Sequence, residues 1–292
     1  MSSWINHNVL NRRKAKKPIE LHPTIQSNSI EQNIIYPVIV CIAKKEQDYI
    51  EEFVNYHLHL GFKCIYLYDN EDIPIYNDML QKYNTHLKVI HLPHNNYYKG
   101  VQYIALDHFI KNFLFTTTIT HVAHIDIDEF IALKKHSTIS DFIKDYFVGN
   151  CQGIGINWRF FGSSGKAEKT NEPVTQRFTM CQKDGNKHIK TLFKKDYFLN
   201  FNTCHDVVFS KGYTKSTNKH IINGPFNENI DFDVIQLNHY KCKTLPEFTY
   251  IRTRQRADVI GDTHEDVNAS FKEYDINEIE DLTAYNFYKN TF

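Results

Sequence analysis

No two cysteines of this chain form a CxxC pair, which removes the simplest zinc and dithiol redox sites from consideration. The six cysteines, Cys41, Cys64, Cys151, Cys181, Cys204 and Cys242, are scattered through apolar segments, a pattern of buried thiols in a reducing compartment rather than of a disulfide frame. His239 and Cys242 stand close enough to suggest zinc, but no second close pair completes such a site. A charge bias is also missing. Lys plus Arg and Asp plus Glu both number 34, so no net field draws the chain to nucleic acid or to an anionic membrane. Long hydrophobic runs are absent too: the longest is VIVCIA at 38–43, far short of the roughly 20 residues of a membrane span. The amino terminus has no apolar core of a secretory signal. These absences predict a cytoplasmic protein without a transmembrane segment, peripheral membrane association being left open. There is no internal repeat and no clear second domain.

What remains is ample for one large core: 292 residues, 41% hydrophobic and 14% aromatic. Residues 1–33, with the run NRRKAKK before Pro18, read as a flexible basic arm. Residues 34–260 read as the folded domain, and 261–292 as a helical tail that packs on the domain or on another copy of the chain. From 34 onward, short apolar runs alternate with helical periodicity. IIYPVIVCIA (34–43), CIYLY (64–68), LKVIHL (87–92) and HVAHIDID (121–128) read as strands. Between them, EQDYIEEFVNYHLHLG, PIYNDMLQKYN and GVQYIALDHFIKNFL read as helices. The expectation is an α/β fold with a mostly parallel sheet flanked by helices, whose ligands sit beyond the carboxyl ends of the strands. Asp69, Asn70, Asp126 and Asp128 stand at such ends.

HIDIDEFIAL (124–133) places three acids in an otherwise apolar run. Strand alternation puts Asp126 and Asp128 on one face and Glu129 on the other, and two close carboxylates repel unless a cation or a shared proton lies between them. An EF-hand calcium loop is excluded, because with Asp126 at its first position the required glycine falls on Ile131. A shared-proton pair, an ion pair with nearby lysines, and a divalent-metal site for substrate phosphates remain open.

These acids follow AKKEQDYIEEFVNYHLHLGFKCIYLYDNED (43–72) and precede GINWRFFGSSG (155–165) and NHYKCKTLPEF (238–248). The ordered set resembles the GT-A-fold glycosyltransferases close to glycosyltransferase families 2 and 92, over roughly residues 36–258. Two departures are visible: KKE stands where KNE is usual, and DNED replaces DN-x-S. The resemblance implies a Rossmann-like GT-A sheet with a carboxyl-terminal acceptor-side portion. It implies transfer of a hexose from a nucleotide-diphosphate sugar, a UDP-sugar foremost, to a hydroxyl of a glycan or glycoconjugate, with inversion. By the same resemblance Asp126, Asp128 and His239 hold Mn²⁺ or Mg²⁺, and Asp126 also reaches the ribose. Ala43, Lys44 and Glu46 lie beside ribose and phosphates, Asp69 accepts the uracil N3 hydrogen, and Lys99 and Gln102 approach the donor. The bland alternative for Asp69 is a turn or cap in YDNED.

WRFFGSSGKAEKT (158–170) is not a phosphate loop, since Phe160 holds the place of the first Walker glycine. Trp158 and Phe161 offer planes to a sugar ring and Arg159 offers hydrogen bonds, against the alternative of a core tryptophan. His205 is a further acceptor-lining candidate, and Asp206 and Glu172 are candidates for the general base that inversion needs. Arg252, Arg254 and Arg256 alternate, so one helical face cannot bring all three to a diphosphate. A metal-dependent nucleotidyltransferase or phosphohydrolase, and a non-catalytic nucleotide-sugar or carbohydrate binder, are the competing classes.

Overall fold

A computed structural model describes residues 34–93, 100–253 and 266–291. The expected basic arm, Lys99, Arg254 and Arg256 lie outside the described residues. Rich in β-branched residues, PVIVCIA forms β1 (Pro37–Ala43), buried along its whole length. Ile39, Cys41 and Ala43 face one apolar layer, and Val38, Val40 and Ile42 the other, so both faces of the strand are covered. The helix α1 (Ile50–His59) carries Glu51 and Glu52 in its first turn, and Gly61 beyond its end takes φ +105°, which a side chain would strain. It leads to β2 (Cys64–Asp69).

The helix expected over 74–84 is broken into α2 (Tyr76–Met79) and a 3₁₀ turn. Between them Leu80 leaves helical dihedrals (φ −108°, ψ 19°) and drops its side chain into the core. Next come β3 (Leu87–His91), α3 (Val101–Phe109), which runs on as a π-turn to Leu114, and β4 (His121–His124). β1 pairs in parallel with both β2 and β4, and β2 with β3. The chain therefore winds outward from β1 to β3 and then returns to the other side of β1. The crevice that such a reversal is expected to form for ligands lies beyond the carboxyl ends of β1 and β4.

The fourth strand stops at His124, four residues short of its expected end. Residues 125–128 form a turn closed by the Glu129 N–H on the Asp126 carbonyl (3.0 Å), and Glu129 opens β5 (Glu129–Leu133). Strand alternation thus does not set the directions of Asp126 and Asp128. After α4 (Ile139–Tyr146) come β6 (Cys151–Phe160), α5 (Val174–Arg177), β7 (Met180–Cys181) and β8 (Ile189–Lys194). The short strands β9 (Phe198–Phe201), β10 (Val207–Phe209), β11 (Tyr213–Lys215) and β12 (Ile221–Ile222) precede β13 (Ile235–His239). The main sheet runs β12-β11-β6-β8-β4-β1-β2-β3, and β13 joins β6 to β5. β8 is antiparallel to both β4 and β6.

The last segment holds α6 (Leu245–Thr253), α7 (Val267–Tyr274), β14 (Ile279–Glu280) and α8 (Thr283–Thr291). β14 pairs with β7, and the Phe287 ring meets Tyr56 edge-on at 4.8 Å, so the tail packs on its own domain. Residues Ile34–Phe292 form one compact unit. All six cysteines are free thiols. No helix of the described residues is long and apolar enough to cross a membrane.

Candidate functional site

The acid turn lies beyond β4, at the crevice. Asp126 is held on both oxygens: Gln102, in the first turn of α3, donates Nε2 at 3.1 Å, and Lys190 of β8 donates Nζ at 2.9 Å. The Lys190 side chain is 1% exposed and also lies 3.7 Å from Glu129. Glu129 accepts the Asp126 N–H at 2.9 Å, while its second oxygen is buried without a partner. Burial pushes the Asp126 carboxyl up, but the Lys190 ammonium and His124 outweigh it and hold the group below the usual carboxylate range. The opposite holds for Glu129, where burial dominates, with Asp126 and Asp128 adding to it against Lys190, and the carboxyl is driven well above its ordinary value.

His239 closes β13, in register with Glu129 across β5 and Phe160 across β6. The next residue, Tyr240, donates its N–H to the Asp128 carbonyl at 2.8 Å, which fixes the turn against the strand end. His239 Nε2 lies 3.4 Å from an Asp128 carboxylate oxygen. Burial raises the Asp128 pKa, yet His239 and then Lys243 and Lys241 overcome it and keep the carboxyl ionised.

Among the described residues no group of three or more His, Cys, Asp or Glu side chains is disposed to hold a metal ion. The trio expected at Asp126, Asp128 and His239 is not assembled, because Lys190 occupies Asp126. Asp128 and His239 do fit as a pair. Their 3.4 Å separation is close to the spacing of adjacent ligands on one octahedral ion, about 3 Å for bonds of about 2.1 Å, and phosphate and water commonly complete such a shell.

Of the residues expected beside the nucleotide, Ala43 ends β1 and Lys44 follows it, with its ammonium buried without a hydrogen-bond partner. A buried, unpaired cation is costly, so an anion is the natural complement of that position. Glu46 donates its N–H to the Tyr76 hydroxyl, which places it in the same loop cluster. Asp69 takes its turn-and-cap role: it is fully buried, Oδ1 accepts the Glu71 N–H, and Oδ2 accepts those of Ile75 and Tyr76. Its oxygens are already engaged by the backbone, which disfavours direct uracil recognition.

The acceptor side is reshaped more. β6 alternates, so Trp158 and Arg159 point to opposite faces. Arg159 is buried on the carbonyls of Gln182 and Lys183 and on Asp281, and Phe161 is buried against Tyr240. Neither reaches the acid turn. Trp158 does face it, with ring centroids 4.6 Å from His239, 5.1 Å from His205 and 4.9 Å from His188. Its indole N–H is buried and has no partner. Asp206 is buried in its own turn, bound by Asn202 and Thr203, so its carboxylate is consumed locally. Glu172 is exposed in a cleft of about 270 Å³ with Tyr49, Lys169 and Arg177, which none of Asp126, Asp128 and His239 lines.

Lys190 and His188 are site residues that the pattern reading missed. The available signal was HIKTLFK (188–194): a lysine inside a buried strand requires a carboxylate opposite it.

No protein-family model matches the chain, and no curated protein matches it. Solved structures with partial likeness include S. aureus TarS 1-349 in complex with UDP, at 17% identity and TM-score 0.32, covering 47% of this chain and 38% of that one. HddC from Yersinia pseudotuberculosis is 12% identical at TM-score 0.36, covering 65% and 93%. S. aureus TarS 1-349 in complex with UDP-GlcNAc is 11% identical at TM-score 0.35, covering 82% and 72%. At such TM-scores the likeness carries no argument, and the α/β assignment rests on the strand order itself.

Proposed function

We propose that the chain is a GT-A-type glycosyltransferase that moves a hexose from a UDP-sugar to a hydroxyl of a glycan or glycoconjugate, with inversion at the anomeric carbon. The observation that carries the reading is that the acid turn with His239 follows β4 while the partnerless Lys44 ammonium follows β1, the parallel strand beside it. The ordered motifs around that turn support the same chemistry.

On this reading Asp128 and His239 would hold a divalent ion, Mn²⁺ or Mg²⁺, which when bound would supply positive charge to stabilise the departing diphosphate. Asp126, fixed by Gln102 and Lys190, orients the ribose side of the donor. Lys44 faces the diphosphate as a fixed positive charge. Trp158 presents its ring to the acceptor sugar beside the histidines.

The test is thermal unfolding with UDP, with and without Mn²⁺, alongside UDP release from UDP-sugars over a panel of acceptors. Binding at 100 times Kd stabilises the native state by about 2.7 kcal/mol. Asp128→Ala abolishes the Mn²⁺-dependent part of the shift, read against the variant's own apo melting temperature, which the loss of the Asp128–His239 pair lowers. Turnover confined to nucleoside triphosphates points instead to nucleotidyl transfer or phosphohydrolysis, and UDP-driven stabilisation without any turnover points to a binder.

A further inference from the structure

Inversion needs a base for the acceptor hydroxyl, and Asp206 and Glu172 are both poorly placed to serve. We propose that His188 is that base, acting through Nε2; the assignment rests on the glycosyltransferase reading above. Asn186 fixes the tautomer. Its Oδ1 accepts the His188 backbone N–H at 2.9 Å, so the atom there is the oxygen, and the same oxygen lies 2.7 Å from His188 Nδ1. Nδ1 must therefore carry the ring proton and Nε2 the lone pair. Among the described residues the imidazole's hydrogen bond runs through Nδ1, and none runs through Nε2.

The ring lies flat on Trp158 (4.9 Å, 21°), and the His239 ring meets the same indole edge-on at 4.6 Å. Phe226 packs on its edge at 4.6 Å. The imidazole is half-buried, reachable by a substrate, and set against the indole that receives the acceptor ring. His205 is the neighbouring imidazole, 5.5 Å away, with Nδ1 on the Ile189 carbonyl. It is the more deeply buried of the two rings, and burial and Lys190 push its pKa down to about 4. Burial, then His239 and Lys241, lower the His188 pKa from the ordinary imidazole value, and His205 is its other titratable neighbour.

The step balances without a further reactant. The acceptor O–H proton passes to the Nε2 lone pair while the oxygen forms its bond to the anomeric carbon. The anomeric carbon–oxygen bond to the diphosphate breaks, and its electron pair leaves on the β-phosphate. The imidazolium then returns its proton to water. Asn186 is a positioning residue that holds the reactive tautomer.

UDP release is followed from UDP-glucose, UDP-galactose and UDP-N-acetylglucosamine across mono- and oligosaccharide acceptors with Mn²⁺, first in the wild type. With the productive pair, His188→Gln lowers kcat by about 10²–10⁴-fold. Donor KM and the UDP-induced melting shift stay as in the wild type. Asn186→Ala lowers kcat at unchanged donor KM, and added imidazole restores part of the turnover of His188→Gly. A His188→Gln enzyme within tenfold of wild-type kcat, or a loss seen only in His205→Gln, overturns the assignment and leaves the donor reading intact. A wild type that releases no UDP with any pair removes the transferase reading beneath it.

Discussion

Lys190→Met isolates the electrostatics of the acid turn. The ammonium is buried, donates to Asp126 at 2.9 Å and lies 3.7 Å from Glu129. Removing one partner of a buried ion pair costs about 3–5 kcal/mol, because the other charge stays behind in low dielectric. Glu129 contributes little of that loss, since its carboxyl is driven well above the ordinary range and its neutral form needs no cation. The burden falls on Asp126, which keeps the Gln102 amide and whose side chain is 32% exposed, so water replaces part of the lost interaction. The expected cost is therefore at the low end, about 3 kcal/mol, or roughly 6–12 °C in melting temperature at about 2–4 °C per kcal/mol. Urea and thermal unfolding measure it, with Lys190→Met/Asp126→Asn as the control. The double variant leaves no orphaned charge and should recover most of the loss. The sign with pH is fixed as well. Asp126 has a depressed folded pKa, so the stabilisation is present above the unfolded value near 3.8 and is lost as pH falls through the lower folded value. The gap between wild type and Lys190→Met accordingly narrows at acid pH. A single-variant cost under about 1 kcal/mol, or a double variant no more stable than the single, refutes the account.

Two further perturbations address the scaffold. Burial pushes both His57 and His121 down from 6.5 to about 3, so the unfolded chain binds more protons than the native one between those values. Stability should fall as pH drops from 6.5 toward 3, by up to about 1.4 kcal/mol per pH unit for each imidazole, and denaturant midpoints over that window measure the slope. Gly162→Ala places a Cβ 2.5 Å from Asn277 Oδ1 and 2.6 Å from the Ile276 carbonyl, so the tail must shift. That segment supplies the acceptors for Ser163 and Ser164. A loss of about 1–3 kcal/mol is expected, with earlier proteolysis of residues beyond 275, and an unchanged melting temperature contradicts the close approach.

The parts that local periodicity controls were legible. PVIVCIA and CIYLYD announce buried parallel strands and LKVIH a part-buried parallel strand at the sheet's edge, and the helix stripe ending at Gly61 stops where the backbone needs φ +105°. The missed parts depend on pairings that no periodicity encodes. HVAHIDID has the alternation of one continuous strand, but the Glu129 side chain takes the Asp126 N–H and turns the chain at Ile125. WRFF looks like one aromatic surface, yet its position in a two-sided strand sends Trp158 to the site and Arg159 to Asp281. Lys190 and His188 became visible only when β8 was seen wedged antiparallel between β4 and β6.

On the proposed function, that wedge divides the candidate site into a nucleotide half and an acceptor half of different origin. The nucleotide half comes from consecutive strand–helix units, whose ends meet at the reversal between β1 and β4. The acceptor half comes from β6, β8 and β13, strands brought in from later in the chain. Lys190 is the direct link, since it sits on a strand of the second half and pairs with the acid turn of the first. Two residues before Lys190 and just ahead of that strand, His188 packs flat on Trp158. Substitution at 188 should therefore separate transfer from donor binding, whereas substitution at 190 should disturb both. A transferase needs that coupling, because a nucleotide-sugar site assembled without its acceptor half exposes the activated donor to water.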